Sequence, residues 1–246
     1  MKKRNWLPFF PIAAVILVWQ LLCMSKIIPP YMLPGPRQVT LAFAADFPLL
    51  MKHLLYTLME AFAGLSLALA AAFVLAVIMD ANSVIKQSIT PILLITQTMP
   101  VIAVAPLLIL WMGYGFAPKI TLVFLTCFFP VTIALLGAFA SADSDTLRLL
   151  QSMGAKKWQL YRYLKIPQGL PEFFSGLKIA ASYSIIGAVI AEWLGGDAGL
   201  GVYMIRVRRT YSFDKMFAVI ILVSALSLLL IKLVTLIEKK AMPWRR

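Results

Sequence analysis

Apolar residues occur in long runs that are separated by short polar segments along the whole chain. An α-helix needs about 20 mostly apolar residues to cross about 30 Å of hydrocarbon. Six runs approach or exceed that length, at about 6–24, 57–79, 89–112, 119–140, 177–194 and 216–237. The pattern predicts an all-α integral membrane protein with about six transmembrane helices, folded as one domain over residues 1–246.

The third run is interrupted in its middle. It contains Pro91, Pro100 and Pro106, and each proline lacks a backbone N–H and ends or kinks a helix. The run can therefore form one kinked helix or two half-helices. Gln97 and Thr98 lie at this break, where uncharged hydrogen-bonding groups can hold a polar solute without trapping it. They are candidates to line a translocation path, and the alternative is a hydrogen bond to a neighbouring helix.

The composition agrees with a membrane protein. Hydrophobic residues make up 61% of the chain and charged residues 13%, whereas a soluble domain has about 45–50% apolar and about 25% charged residues. The net charge of +13 comes from Lys and Arg residues in short segments beside the runs, which favours contact with anionic lipid over nucleic-acid binding. More of them lie on the side of the termini, so the chain is expected in a bacterial inner membrane with both termini in the cytoplasm.

One basic cluster does not follow this rule. Six spans place Arg206, Arg208 and Arg209 on the outer side. Two interpretations are open for these residues. They either guide an anionic substrate or an acidic partner, or they form a solvated or lipid-facing cluster.

The residues of catalytic and metal sites are scarce in this sequence. Cys23 and Cys127 lie inside apolar runs without the spacing of a metal site, and we interpret both as small buried hydrophobic residues. The single His53, at the edge of the first outer loop, has no evident base or metal role. The chain also lacks the GxxxxGK(S/T) loop that holds nucleotide phosphates. We therefore expect no catalytic site, metal or cofactor in this chain, and any ATP has to bind another subunit.

Three ionisable residues lie near the ends of the apolar runs. Glu60, Lys178 and Glu192 would be costly in hydrocarbon. Snorkelling to the headgroups or a local partner would satisfy them, and direct contact with substrate is the alternative. Glu192 stands beside Gly195 and Gly196 at the outer end of the fifth run, so it is a candidate for an outer gate.

The longest polar stretch, at about 141–174, predicts two short amphipathic helices. Apolar residues recur at helical spacing over 145–153 and over 158–164. Gly154 separates the two segments, and Ile166-Pro167 ends the second one. Each helix would carry an apolar stripe that packs in the bundle, in the lipid interface or on a separate soluble protein.

This stretch resembles the EAA loop of permeases in binding-protein-dependent ABC importers. The resemblance rests on Gly-Ala at 154–155 and on Leu-Lys-Ile-Pro at 164–167. The family's Glu-Ala-Ala start is replaced by Arg-Leu-Leu at 148–150, so an acidic contact is not expected there. The family's loop docks onto the partner ATPase. The resemblance thus implies ATPase coupling through Gly154, Ala155, Trp158, Leu164, Ile166 and Pro167.

Further segments resemble the subfamily that imports sulfonates, taurine, nitrate or thiamine-precursor pyrimidines. They are LPGP at 33–36, PLLILWMG at 106–113, FFP at 128–130, AEWLG at 191–195 and GLG at 199–201. The resemblance implies a type I ABC importer permease fold and pairing with a second copy of the chain. It also implies two ATPase subunits that bind ATP and Mg²⁺, an extracytoplasmic substrate-binding protein, and a small polar or anionic solute.

Two rival functions need residues that this chain has in small number. An ion-coupled secondary transporter needs acidic residues within the membrane, for which Glu60 and Glu192 are the candidates. A membrane-embedded lipid-modifying enzyme needs a cluster of Asp, His or Glu at an interface, and Asp143 and Asp145 alone do not form one. An importer permease is therefore the preferred interpretation.

Overall fold

The structure is a computed structural model that describes residues 9–25, 27–29 and 31–245, and within these residues it contains helices and loops but no strand. A π-helical turn, Tyr161–Lys165, joins α8 to α9, and a 3-10 turn, Pro243–Arg245, follows the last helix. The helices are α1 (Phe9–Met24), α2 (Pro36–Ala45), α3 (Phe47–Ala81), α4 (Ser83–Thr98), α5 (Val101–Met112), α6 (Phe116–Ala140), α7 (Ser144–Ser152), α8 (Lys157–Leu160), α9 (Ile166–Leu194), α10 (Leu200–Arg209) and α11 (Phe213–Ala241).

Four helical segments are long and apolar enough to cross a membrane. They are α3, α6, α11 and the continuous helix Lys157–Leu194, called here the long helix. The pair α4 and α5, bent by 98° at its break, is a fifth candidate. α1 is apolar but shorter, and residues 6–8 of the first predicted run lie outside the described residues. The helical membrane fold is confirmed, with four or five full spans in the described part where the sequence predicts about six.

The break between α4 and α5 settles the form of the third predicted run, which consists of two helices. Met99 and Pro100 separate them, and both residues have extended backbone conformations. A proline ring disfavours the helical conformation of the residue before it, which explains why the break falls at Met99. Pro91 and Pro106, in contrast, lie inside α4 and α5.

The long helix begins earlier than the sequence predicts. Its first residue is Lys157 rather than residue 177, so the second short helix of the polar stretch is the start of a membrane helix. Pro167 does not end it. A proline ring clashes with the carbonyl four residues earlier in a regular α-helix, but here the turn just before it is π-helical, with the Ile166 N–H bonded to the Tyr161 carbonyl. The wider turn carries the helix past Pro167.

The core of the bundle consists of α3, α6 and α9, which approach one another through small residues. Ala68 and Ala72 of α3 are fully buried. On α9, a Cβ added to Gly176 would stand 2.2 Å from the Cβ of Ala134 on α6. Small residues allow such close contact between membrane helices, where packing supplies the attraction.

Asp46 joins the elements at one end of the bundle. It stands between α2 and α3 and accepts hydrogen bonds from the Tyr203 hydroxyl at 2.6 Å and from Lys215 Nζ at 2.7 Å. These bonds tie the corner to α10 and α11. The Lys215 ammonium, together with the Tyr203 hydroxyl, holds the pKa of the Asp46 carboxyl below its usual range.

α10 packs against α9 and α11 and carries the basic cluster Arg206, Arg208 and Arg209. Its inner face, with Tyr203, is buried, whereas Arg206, Arg208 and Arg209 are exposed. Arg206 donates a hydrogen bond to the Asp197 carbonyl at 2.9 Å. The cluster is therefore the exposed end of an otherwise packed helix.

Candidate functional site

A cavity of about 510 Å³ opens beside the break between α4 and α5. The two bent helices form one wall, and α6 and α9 form the other. Its residues are Thr96, Gln97, Met99, Val101, Val104, Leu122, Phe124, Leu125, Thr126, Phe128, Phe129, Pro130, Tyr183, Ile186, Gly187 and Ile190. The recess therefore lies at the 98° bend, between the two bent helices and the pair α6 and α9.

The cavity wall is mostly apolar and carries no charge, and four of its residues are aromatic. None of the lining residues carries a charge. The rings of Phe124 and Phe128 are stacked with centroids 5.2 Å apart. The hydroxyls of Thr96 and Thr126 donate to backbone carbonyls of their own helices, at 2.7 and 2.8 Å, so towards the cavity they offer acceptor lone pairs. Tyr183 is half exposed at the cavity wall.

The two predicted path residues have different positions. Gln97 is exposed and lines the cavity. Thr98 is not among the lining residues, and its hydroxyl donates to the Ile95 carbonyl at 2.8 Å, within α4. Of the two, Gln97 is therefore the one that lines the cavity, and the path role of both residues stays a prediction.

The second candidate region is the exposed apolar surface around Gly154, called here the α7–α8 surface. Leu149 and Met153 are 61% and 75% exposed, and Trp158 and Tyr163 are each 66% exposed. α7 itself has no buried residue. The described part of the chain therefore covers only part of the predicted stripe, since Leu160 and Leu164 are buried while the four residues named above stay exposed.

Gly154 sets the angle between α7 and α8. Its φ of +82° is left-handed, and its N–H donates to the Gln151 carbonyl at 2.9 Å. The Ala155 N–H donates to the Leu150 carbonyl at 3.0 Å. These two bonds and the left-handed residue form a Schellman motif, which stops α7 and fixes the direction of the chain.

The remaining predicted coupling residues divide between surface and core. Trp158 is on the α7–α8 surface, and Ala155 is half-buried. Leu164 is buried, and Ile166 packs against the bundle core. Pro167 is half-buried within the long helix. Leu164 and Ile166 therefore connect the surface to the bundle. Tyr163 is exposed on the same surface, although the sequence did not predict it as a site residue.

A buried polar network holds one end of the bundle. Lys119 Nζ lies 2.7 Å from Glu60 Oε1 and 3.4 Å from the Ala198 carbonyl. Glu192 accepts the Thr57 hydroxyl at 2.7 Å and the Gly201 N–H at 2.6 Å. The network therefore binds α3, α6 and α9 to the glycine-rich segment before α10.

Two more bonds complete this network on α3. His53 accepts the Gly199 N–H on Nδ1 at 2.9 Å, and Thr57 accepts the Leu200 N–H at 2.9 Å. Because Gly199 and Leu200 begin α10, His53 and Thr57 bind the backbone N–H groups that the start of a helix leaves free.

The network corrects two predictions. Glu60 and Glu192 are buried and paired within the protein, so snorkelling is wrong for them and a local partner is right. His53 belongs to α3 and is buried, not at a loop edge. Glu192 does not line the cavity, and its place in an outer gate stays a prediction. Lys178, at the other end of the long helix, pairs with Glu238.

Comparisons with known proteins agree on one family. The family model described as "Binding-protein-dependent transport system inner membrane component" matches residues 64–242. A probable ABC transporter permease protein from Haemophilus influenzae is 35% identical over 230 residues, which cover 94% of each chain. The formylaminopyrimidine transport permease protein ThiX from Halalkalibacterium halodurans is 33% identical over 233 residues, which cover 94% of this chain and 93% of the relative.

A solved structure shares the fold. A chain of the MetNI methionine ABC transporter in an inward-facing conformation superimposes with a TM-score of 0.72 at 17% identity. The superposition covers 80% of this chain and 98% of that chain. The type I permease architecture expected from the sequence is therefore confirmed.

Proposed function

This chain belongs to the family of binding-protein-dependent transport system inner membrane components, and we propose that two copies of it surround the solute path of an ATP-driven importer. Two ATPase subunits on the cytoplasmic side bind ATP and Mg²⁺, and their ATP hydrolysis provides the free energy for transport. An extracytoplasmic binding protein delivers the solute. Both termini of the chain lie in the cytoplasm, and the α7–α8 surface faces the ATPase.

The exposure of the α7–α8 surface is the observation that carries this proposal. Leu149, Met153, Trp158 and Tyr163 each leave more than half of their surface uncovered. Removing apolar area from water contributes about 25 cal/mol per Å², so a partner that covers these side chains is held there. The chain itself has no phosphate-binding loop. The protein that covers the α7–α8 surface and hydrolyses ATP to drive transport is therefore a separate ATPase subunit.

The long helix supplies a mechanical route from that surface to the solute. It begins beside Trp158, lines the cavity with Tyr183 and Ile186, and ends near Glu192, which holds the outer segment. Its 38 residues span about 57 Å at 1.5 Å per residue. A shift of its first turn by the ATPase therefore moves the cavity wall and the outer network together.

The open side of the cavity supports pairing of two copies. Met99 and Leu125 are exposed there, at 51% and 41%. A second copy placed against this side would cover them and close the recess into a path. Gln97 would then lie at the wall of that path, where it can hydrogen-bond a passing solute.

The test is a pull-down of the tagged chain expressed with the ATPase and binding-protein subunits encoded beside it. We expect the ATPase to co-purify and to be stimulated by solute and binding protein. Trp158→Ala should lower its recovery at least about fivefold, because large aromatic side chains dominate interface energies. Trp244→Ala is the matched control, since Trp244 is similarly exposed, at 62% against 66%.

Two results would contradict the proposal. One is a chain that purifies without an ATPase and moves solute on an ion gradient, as a secondary transporter does. The other is equal loss of the ATPase from the Trp158→Ala and Trp244→Ala variants, which would mean that the contact is not at the α7–α8 surface.

A further inference from the structure

We infer that Asp80 is a positioning residue for energy coupling, because it ties the start of the long helix to α4, which forms part of the cavity wall. Asp80 thereby gives the ATPase a second route to the cavity, beside the long helix itself. The inference rests on the proposed function, because it takes the α7–α8 surface to bind the ATPase.

Asp80 binds both ends of the π-helical turn Tyr161–Lys165. Its Oδ2 atom accepts the Tyr161 hydroxyl at 2.5 Å and lies 2.5 Å from Lys165 Nζ. The Lys165 ammonium also lies over the Tyr161 ring, 5.0 Å from the ring centroid. Hydrogen bonds to charged groups are stronger than bonds between neutral groups. These three residues, called here the Asp80 cluster, therefore hold the turn against the end of α3.

The Asp80 cluster is shielded from water. The side chain of Asp80 is 12% exposed and that of Lys165 is 17% exposed. The Tyr161 ring packs edge-on against the buried Phe139 of α6, with ring centroids 5.5 Å apart. Solvent and salt screen a partly buried ion pair much less than a surface pair. A displacement of the turn is therefore passed on to Asp80.

The same turn also faces the proposed partner. Tyr163, in the middle of the turn, is 66% exposed on the α7–α8 surface. Trp158 lies in α8, directly before the turn. A protein that binds Trp158 and Tyr163 therefore acts on the segment that Asp80 holds through Tyr161 and Lys165.

Asp80 stands close to the start of α4. It is the penultimate residue of α3, and Asn82 alone separates the two helices. The Asn82 side chain accepts the Val84 N–H at 2.9 Å and caps α4. Further along, α4 lines the cavity with Thr96 and Gln97. A displacement of Asp80 therefore reaches the cavity wall through a capped, one-residue connection.

The π-helical turn has space beside it. A cavity of about 110 Å³ lies there, and its lining includes Lys165 and Ile166 together with Phe73 of α3 and Phe139 of α6. A close-packed interior resists displacement, whereas a void leaves room for side chains to shift. Single π-helical turns are frequent at functional sites. The turn and the cavity together favour movement at this end of the long helix.

The first test compares solute uptake with ATP hydrolysis in the complex of this chain with its ATPase, reconstituted in vesicles. Asp80→Asn keeps the size of the side chain but removes its charge. We expect uptake per ATP hydrolysed to fall at least about threefold, within the range that substitutions between coupled sites produce. Asp80→Glu should keep more of the ratio, because the charge remains. Tyr161→Phe removes one hydrogen bond and leaves both charges, so its ratio should fall less than that of Asp80→Asn.

Glu238→Gln is the matched control for Asp80→Asn. Glu238 pairs with Lys178 of the same long helix, with side chains 17% and 29% exposed, but this pair lies outside the π-helical turn. The control should leave uptake per ATP near the wild-type value. An unchanged ratio in Asp80→Asn, or an equal fall in the two variants, would overturn the inference.

A second test follows the two routes separately. Gln97 of α4 and Ile186 of the long helix both line the cavity and are exposed. A fluorescent dye is attached to Gln97→Cys or to Ile186→Cys in a Cys23→Ser background, where Cys127 is buried, and its response to ATP is measured in the complex. We expect Asp80→Asn to reduce the response of Gln97→Cys and to preserve that of Ile186→Cys. An unchanged response of Gln97→Cys, or an equal loss at both positions, contradicts the second route.

The wild type separates this inference from the proposed function. If no ATPase co-purifies with the wild type, or if ATP hydrolysis drives no uptake, the proposed function fails. If the wild type couples hydrolysis to uptake and the Asp80 variants do so equally well, the inference about Asp80 alone is overturned.

Discussion

The Nζ atom of Lys119 on α6 lies 2.7 Å from Oε1 of Glu60 on α3. The two residues are 59 positions apart in the sequence. Glu60 is fully buried and Lys119 nearly so. Neither charge can turn to water, so each depends on the other. The pair fixes the first turns of α6 against α3 and holds the buried polar network in place.

Breaking this pair should destabilise the bundle strongly. Lys119→Met leaves the Glu60 carboxylate buried without its cation, and such a change costs about 3–5 kcal/mol. The double variant Glu60→Gln with Lys119→Met removes both charges and should recover most of the loss. Thermal unfolding in detergent can be followed with a maleimide dye that reacts with the buried Cys127, in a Cys23→Ser background.

The Lys178–Glu238 pair provides the control for that experiment. Its side chains keep 29% and 17% of their surface exposed, against 7% and 0% for Lys119 and Glu60. Solvent screens the more exposed pair, so Lys178→Met should lower the unfolding temperature less. A Lys119→Met variant that unfolds at the wild-type temperature would show that the buried pair contributes nothing.

Gly176 should not tolerate a methyl group. A Cβ at this position would stand 2.2 Å from the Ala134 Cβ and 3.4 Å from the Pro130 carbonyl oxygen. Gly176→Ala therefore forces α9 away from α6 and should cost about 1–3 kcal/mol of stability. The same dye assay measures it.

The compensating change tests the geometry directly. Ala134→Gly removes the opposing methyl group and should restore most of the stability of Gly176→Ala. Gly137→Ala on α6 is the control, because its Cβ would meet one flexible atom, Glu172 Oε2, at 3.2 Å. If Gly176→Ala and Gly137→Ala are equally stable, the close contact of α6 and α9 is contradicted.

Gly154 should control coupling and leave the bundle intact. A Cβ there meets nothing within 4 Å, but φ is +82°, a conformation that costs an L-residue roughly 1–2 kcal/mol. Gly154→Val should therefore change the α7–α8 angle and lower solute uptake per ATP hydrolysed. Gly154→Asn should keep more of it, because Asn adopts the left-handed conformation more readily.

The measurement is the ratio of uptake to ATP hydrolysis in the complex reconstituted in vesicles. The unfolding temperature of both variants should match the wild type within a few degrees, which separates coupling from folding. A Gly154→Val complex with unchanged ATP-dependent uptake would exclude the role of this turn.

Acid should weaken the corner at Asp46. Its pKa is held below the usual range by the hydrogen bond and charge of Lys215 and by the Tyr203 hydroxyl, against a smaller effect of burial. A carboxyl with a depressed pKa contributes stability above its unfolded pKa of about 3.9, and this contribution disappears as pH falls through the folded pKa. The stabilising effect should thus be constant near neutrality, begin to decline near about pH 4 and disappear as the pH falls through the lowered folded pKa.

The difference in unfolding temperature between wild type and Asp46→Asn reports this effect. It should be positive at pH 7 and shrink towards zero in acid. Tyr203→Phe removes one hydrogen bond but keeps both charges, so it should give a smaller difference with the same direction. A difference that grows in acid would contradict the assignment to Asp46.

The sequence by itself determined the features that depend on local chemistry. Apolar runs long enough for a membrane predict α6 and α11 within a few residues, because a helix satisfies its own backbone in hydrocarbon. They also predict most of α3, which begins at Phe47, ten residues before the predicted run. Gly154 marks the turn after α7, since a left-handed residue favours glycine. The α7–α8 segments also showed their apolar stripe through helical spacing.

Tertiary structure alone decided which of these residues meet. The partner of Glu60 is Lys119, and Glu192 accepts a hydrogen bond from the backbone N–H of Gly201. The pattern of apolar and polar residues does not show which residues of distant helices come into contact. The same limit hid the cavity, because the α4–α5 angle depends on packing against α6 and α9. Leu164 has the apolar spacing of a docking residue but lies in the core, since the long helix continues through Pro167. Periodicity identifies an apolar face, and the surrounding helices determine what covers it.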